Sequence, residues 1–80
     1  MVVSALRQSP QSTLFSGING KGACILPGGF GGGTVLAVVN NATTGNESGS
    51  FEKTLTKDGQ IQQTSSSNLS QNEYWCVWFQ

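Results

Sequence analysis

An all-β domain, a small antiparallel sandwich or barrel of about six or seven short strands, is the fold class that the sequence predicts. Three observations predict it. No segment places apolar residues at the 3.6 spacing of an amphipathic helix. Short runs rich in Val, Ile, Thr, Phe and Trp are instead separated by clusters of Gly, Pro, Asn, Asp and Ser, the punctuation of strands and turns. The third is composition: hydrophobic residues make up 36% and charged residues 10% of the eighty, against averages of about 45–50% (counting Gly) and about 25%. Ser, Thr, Asn, Gln and Gly fill the gap, a palette of secreted recognition modules and virion surfaces rather than of cytosolic enzymes. Eighty residues are read as one domain, residues 1–80, with a thin stability margin.

The first expected strand is 2–6. "MVVSALRQSP" lacks a basic stretch followed by a long apolar core, so it is not read as a signal peptide. If the protein is exported, this chain is expected to be the mature part or an excised domain. No stretch approaches the roughly 18 apolar residues of a membrane span. Strands are next expected at 13–18 and 22–26, the latter ended by Pro27.

Residues 28–33, "GGFGGG", raise three readings. A phosphate loop of the Walker kind requires a Lys before its Ser or Thr, and Gly33 stands before Thr34. The dinucleotide pattern G-x-G-x-x-G begun at Gly29 and Gly31 finds Thr34 where its third glycine belongs, and "TVLAVVN" after it is strand-like rather than helical. What remains is a mobile strand entrance from which Phe30 projects, folding back on the core or meeting a partner.

The run 34–40 is an expected strand with Val35, Ala37 and Val39 on one side and Leu36 and Val38 on the other. Residues 40–50 and 64–72 read as flexible polar loops. Between them, "SFEKTLTKDGQIQQT" predicts a β-hairpin, with strands 48–56 and 60–64 joined at Asp58-Gly59 and a solvated face carrying Glu52, Lys53, Lys57 and Asp58. The last strand, 73–79, is apolar on both faces: Tyr74, Cys76 and Trp78 against Trp75, Val77 and Phe79. With the Cys76 side inward, the second set implies a covering loop, an oligomer interface or an aromatic platform.

Two cysteines in a short Ser/Thr-rich chain predict one disulfide, Cys24 to Cys76. Closing a loop of about fifty residues would contribute roughly 4 kcal/mol on the chain-entropy account. Without histidine and with two thiols, no metal site and no cofactor are expected. A Ser-His-Asp or Cys-His catalytic arrangement cannot be built either, and the carboxylates Glu47, Glu52, Asp58 and Glu73 fall in turns or on the hairpin, so the chain is read as no enzyme. Arg7, Lys21, Lys53 and Lys57 balance those four acids, which leaves no basic patch for nucleic acid. Near-neutrality makes a homo-oligomer plausible. Three Asn-x-Ser/Thr sequons, at Asn41, Asn46 and Asn68, fit a secretory route but arise readily in such a composition.

The reading is therefore an extracellular, periplasmic or virion-surface module that binds a protein or glycan on a cell surface, such as a phage or cell-surface receptor-binding domain. Phe30, Tyr74, Trp75, Trp78 and Phe79 are its candidate aromatic anchors. The alternatives are a self-assembling domain of a fibre or virion, and a small secreted inhibitor or toxin that works through the glycine loop.

Overall fold

A computed structural model describes residues 9–80, and the strand expected at 2–6 lies outside them. The described chain is all-β, with β1 (Gln11–Ser16), β2 (Gly22–Cys24), β3 (Thr34–Asn40), β4 (Ile61–Gln63) and β5 (Glu73–Phe79), and one 3-10 turn at Ser48–Ser50. These make two antiparallel sheets, one ordered β1-β5-β3 and the other β2-β4. Among the described residues five strands stand where six were expected.

The strand expected at 48–56 accounts for the difference. Its first residues form the 3-10 turn, and the rest splits its pairing between the two sheets. Phe51 bridges Gln63, and the Glu52 N–H donates to the Gln62 carbonyl at 2.8 Å, which ties this end to β4. The Val35 N–H then donates to the Lys53 carbonyl, and the Leu55 N–H to the Gly33 carbonyl, which ties the other end to β3. The segment is thus the corner that joins the sheets, with Phe51 and Leu55 buried and Glu52 and Lys53 exposed. The hairpin turn itself is present. The Gly59 N–H donates to the Thr56 carbonyl, the Thr56 N–H to the Gln60 carbonyl, and Gly59 takes φ 75°.

The core lies between the sheets. Phe15, Phe51 and Tyr74 meet as an aromatic cluster with ring centroids 5.5–6.1 Å apart, a spacing at which such pairs attract. Val38, Ile61, Cys76 and Trp78 are sealed from solvent. A buried polar residue, Gln63, closes the seam between β4 and the chain after β1. Its Nε2 donates to the Ile18 and Ser67 carbonyls at 3.1 and 3.2 Å, and its Oε1 accepts from the Ile18 N–H and the Cys24 thiol at 3.4 and 3.8 Å. All the hydrogen-bonding capacity of the carboxamide is used; it supplies the partner of the Ile18 N–H, while the Ile18 and Ser67 carbonyls also accept from the Leu69 and Gly20 N–H groups across the Asn19–Asn68 bridge.

The predicted disulfide is not there: Cys24 and Cys76 are buried free thiols. Cys24 sits on the small sheet with its thiol turned to Gln63, and Cys76 lies mid-strand on β5 between Thr13 and Val38. Each packs as a small apolar side chain. Burial raises both thiol pKa values, that of Cys76 to about 12.

Candidate functional site

The outer face of the β1-β5-β3 sheet carries apolar residues that lie outside the core. Along β5, Tyr74, Cys76 and Trp78 point inward, and Glu73, Trp75, Val77 and Phe79 point outward. On β3 the expected two-sided pattern is broken by a bulge. Val35 pairs with Trp78 and Ala37 with Val77, so Leu36 is an extra residue on its strand. The bulge re-phases β3, bringing Val35, Val38 and Asn40 inward and leaving Leu36, Ala37 and Val39 outside. On β1, Phe15 and Thr13 face the core and Leu14 faces out.

These outward residues stand in register. One cross-strand row reads Leu14, Trp75, Val39; the next reads Ser12, Val77, Ala37. Trp75 is thus flanked by aliphatic side chains on both sides, and no charged residue stands in either row. It is 39% exposed and Leu36 is 49% exposed. The indole Nε1 of Trp75 donates to Asn41 Oδ1 at 2.7 Å, and the Asn41 N–H donates to the Glu73 carbonyl at 2.9 Å, which tethers the ring to the end of β3. A half-exposed aromatic with its one polar group already satisfied presents apolar area in a fixed pose.

The five expected anchors divide. Trp75 is on the outer face, and Phe79 is half-buried at the end of the same face. Tyr74 and Trp78 are corrected to core residues. Their exposures are 1% and 0%, with the Tyr74 hydroxyl donating to the Leu69 carbonyl and the Trp78 Nε1 to Thr13 Oγ1. Burial raises the Tyr74 phenol above its usual range, with nearby Glu47 and Cys24 adding to the rise and a hydrogen bond with Asn72 opposing it. Leu14, Leu36 and Val39 were not anticipated as site residues, because their outward direction depends on register and on the bulge.

Phe30 is 67% exposed and stands apart on the glycine loop, near Ile25 in sequence. The loop is hydrogen-bonded to the last residue of the chain. The Phe30 N–H donates to Gln80 Oε1 at 3.1 Å, and Gln80 Nε2 donates to the Phe30 and Gly31 carbonyls at 3.3 and 3.0 Å. Pro27 and Gly28, the latter with φ 86°, form a turn closed by the Gly29 N–H donating to the Leu26 carbonyl. Gly29 lies so close to the backbone of Gly59 that a Cβ on either would run into the other's carbonyl. Gly29 and Gly31 therefore serve close backbone packing between this loop and the hairpin turn, and Gly28 and Gly32 supply left-handed backbone.

The polar loop 40–50 is likewise tied. Asn40 Oδ1 accepts from the Ala42 and Thr43 N–H groups at 2.8 and 3.1 Å, and the Thr44 N–H donates to the Asn40 carbonyl. Comparison with protein-family models, curated proteins and solved structures finds no match for this chain. Among the described residues, no three His, Cys, Asp or Glu side chains gather where a metal ion could be held, and no helix is long and apolar enough to cross a membrane. No buried side-chain polar atom among them lacks a hydrogen-bond partner. The exposed large apolar side chains are Trp75 and Leu36 on the outer sheet face and Ile25 and Phe30 away from it.

Proposed function

We propose that this domain is a non-catalytic recognition module of an extracellular, periplasmic or virion surface, and that it holds a protein partner through the outer face of the β1-β5-β3 sheet. The observation that carries the reading is Trp75, tethered by Asn41 and set between Leu14 and Val39 in an uncharged apolar row. A stack of sugar rings calls for a strip of exposed aromatics with polar neighbours. Here one indole is exposed, and its lateral neighbours are aliphatic. Such a centre, ringed by Ser12, Ser16, Asn41 and Glu73, has the pattern of an interface hot spot with a polar rim. No cofactor enters this reading.

The test is binding of fluorescently labelled domain to panels of bacterial and animal cells, untreated or treated with protease or with glycosidases. Protease-sensitive, glycosidase-resistant binding that falls at least about thirtyfold in Trp75→Ser is expected, the loss of a hot-spot aromatic worth about 2 kcal/mol or more. Glycosidase-sensitive binding would move the reading to a glycan. Binding that is indifferent to Trp75→Ser would overturn the site.

A further inference from the structure

The edge of β1 carries an inference that is independent of what covers the Trp75 face. In an antiparallel pair, successive residues alternate between exchanging hydrogen bonds with the partner strand and pointing their N–H and C=O groups away from it. The Gly17 N–H donates to the Asn72 carbonyl, which continues the register in which Ser16 pairs with Glu73. Gly17 is therefore a bonded position, and so are Phe15, Thr13 and Gln11. The other set, Ser12, Leu14 and Ser16, directs its backbone groups outward from the sheet. On the opposite side of β5 the same phase holds, since the Asn41 N–H donates to the Glu73 carbonyl.

The two edges of this sheet are treated differently. At β3, the outward groups are met: the Asn40 N–H donates to the Gly45 carbonyl, the Glu47 N–H to the Val38 carbonyl, and the Val38 N–H to Ser48 Oγ. At β1, no described residue outside β5 supplies such partners. Nor does β1 carry the usual protections of an open edge within its span, because Gln11–Ser16 contains no charge and no proline and pairs with β5 without a bulge.

We infer that a second copy of this chain pairs its β1 antiparallel to this edge, about a two-fold axis through Leu14. Self-complementarity is the argument. Only even-numbered positions point outward, so two copies must join even to even, which turns both apolar faces to the same side. Centred on Leu14, the pairing sets Leu14 against Leu14, Ser12 against Ser16 and Thr13 against Phe15. The first is an apolar pair, the second joins hydroxyls, and the third joins a β-branched residue to an aromatic, all favourable across strands. No like charges meet. The outer row then runs without a break as Val39, Trp75, Leu14, Leu14, Trp75, Val39 through a six-stranded sheet. A seam of six residues buries less than the roughly 1,200 Å² of a stable interface, so association is weak and concentration-dependent.

Sedimentation velocity on the full chain over a concentration series tests this, with two kinds of variant. The weight-average mass is expected to climb toward twice that of the chain. Ser12→Pro and Ser16→Pro remove only outward N–H groups, so each is expected to stay folded, judged by blue-shifted Trp78 emission, and to remain monomeric. Trp75→Ser alters the face but not the edge and is expected to dimerise still. Leu14→Cys is expected to cross-link to its own copy on mild oxidation, because the two native thiols are buried. A monomer at every concentration overturns the inference. So does slow amide exchange at Ser12, Leu14 and Ser16 in a monomer, which would place a segment of the same chain on the edge, and so does dimerisation that survives both proline variants.

Discussion

Replacing Gln63 with leucine removes the seam between β4 and the chain after β1 while nearly preserving volume. The carboxamide makes four hydrogen bonds, and three of its partners are backbone groups, the N–H and C=O of Ile18 and the C=O of Ser67. None of these groups can be deleted along with the glutamine, but the two carbonyls keep a second donor, the Leu69 N–H at Ile18 and the Gly20 N–H at Ser67, at 2.8 and 3.0 Å. The Ile18 N–H is the group left without a partner, which costs about 1–3 kcal/mol when buried. Ile18 is only half-buried, so water reaches part of the gap and the low end of that range applies. About 1 kcal/mol for that N–H and about 0.5 for each of the two lost carbonyl bonds give a loss of about 2 kcal/mol, which the added apolar burial of leucine offsets by about 1. A net loss of about 1 kcal/mol compares with the roughly 4–12 kcal/mol that a chain of this length holds. Urea unfolding is the assay. With a slope of about 1 kcal/mol per molar, the midpoint is expected to fall by about 1 M. Gln63→Glu sharpens the test, because a carboxylate cannot donate to the two carbonyls. Its buried acid would stay protonated in the folded chain at pH values where the unfolded chain has ionised, so this variant is expected to lose stability as pH rises above about 4.3. A Gln63→Leu chain as stable as the parent, with unchanged amide exchange at Ile18, would refute the view that this side chain holds the Ile18 N–H.

Three further outcomes follow from the packing. Both thiols are expected to resist a thiol reagent at pH 8 in the native chain and to react fully in denaturant; above about pH 9 the unfolded thiols ionise before the folded ones, so stability should fall with pH by up to about 1.4 kcal/mol per unit for each thiol, and less steeply in Cys76→Ala. Gly59→Ala is expected to cost about 2–4 kcal/mol, from its left-handed φ and from collision with the Gly29 carbonyl, whereas Gly32→Ala, with φ 87° and open space around it, should cost about 1; equal losses in thermal melts would argue against the close approach. Thr44 holds φ 59° with a β-branched side chain, so Thr44→Gly is expected to gain about 0.5–1 kcal/mol, the relief of about 1–2 less the entropy of glycine, read as a rise in melting temperature.

The strands that were legible in the sequence are those in which side-chain pattern alone sets the backbone. β3 and β5 appear with the bounds expected, because "TVLAVVN" and "EYWCVWF" are dense in β-branched and aromatic residues and end at Asn or in polar runs. β1, β2 and β4 differ by a few residues at their ends. The corner at 51–55 was misread for a definite reason. Phe51 and Leu55 are spaced as a strand would have them, but the corner has a different hydrogen-bonding partner at each end, and nothing in a local window distinguishes one partner from two. The disulfide was inferred from composition. Two thiols in a Ser/Thr-rich chain are equally able to fill small gaps in a core, and Cys24 and Cys76 do so here.

The site was half legible, and the bulge at Leu36 explains which half. With strict alternation, β3 would present Val35, Ala37 and Val39 on one face, and whichever face turned inward would leave large aliphatic groups outside opposite Trp75 and Val77. One extra residue lets Val35 and Val38, three apart, both enter the core, and lets Asn40 follow them to anchor its loop. The same residue places Leu36 outside, beside Ala37 and Val39, so a single irregularity both completes the core and enlarges the apolar outer face. Packing alone would be served by a polar residue at 36, 39 or 75. The apolar choice at all three costs solubility without adding to the core, and that asymmetry is the physical ground for assigning the face to a partner.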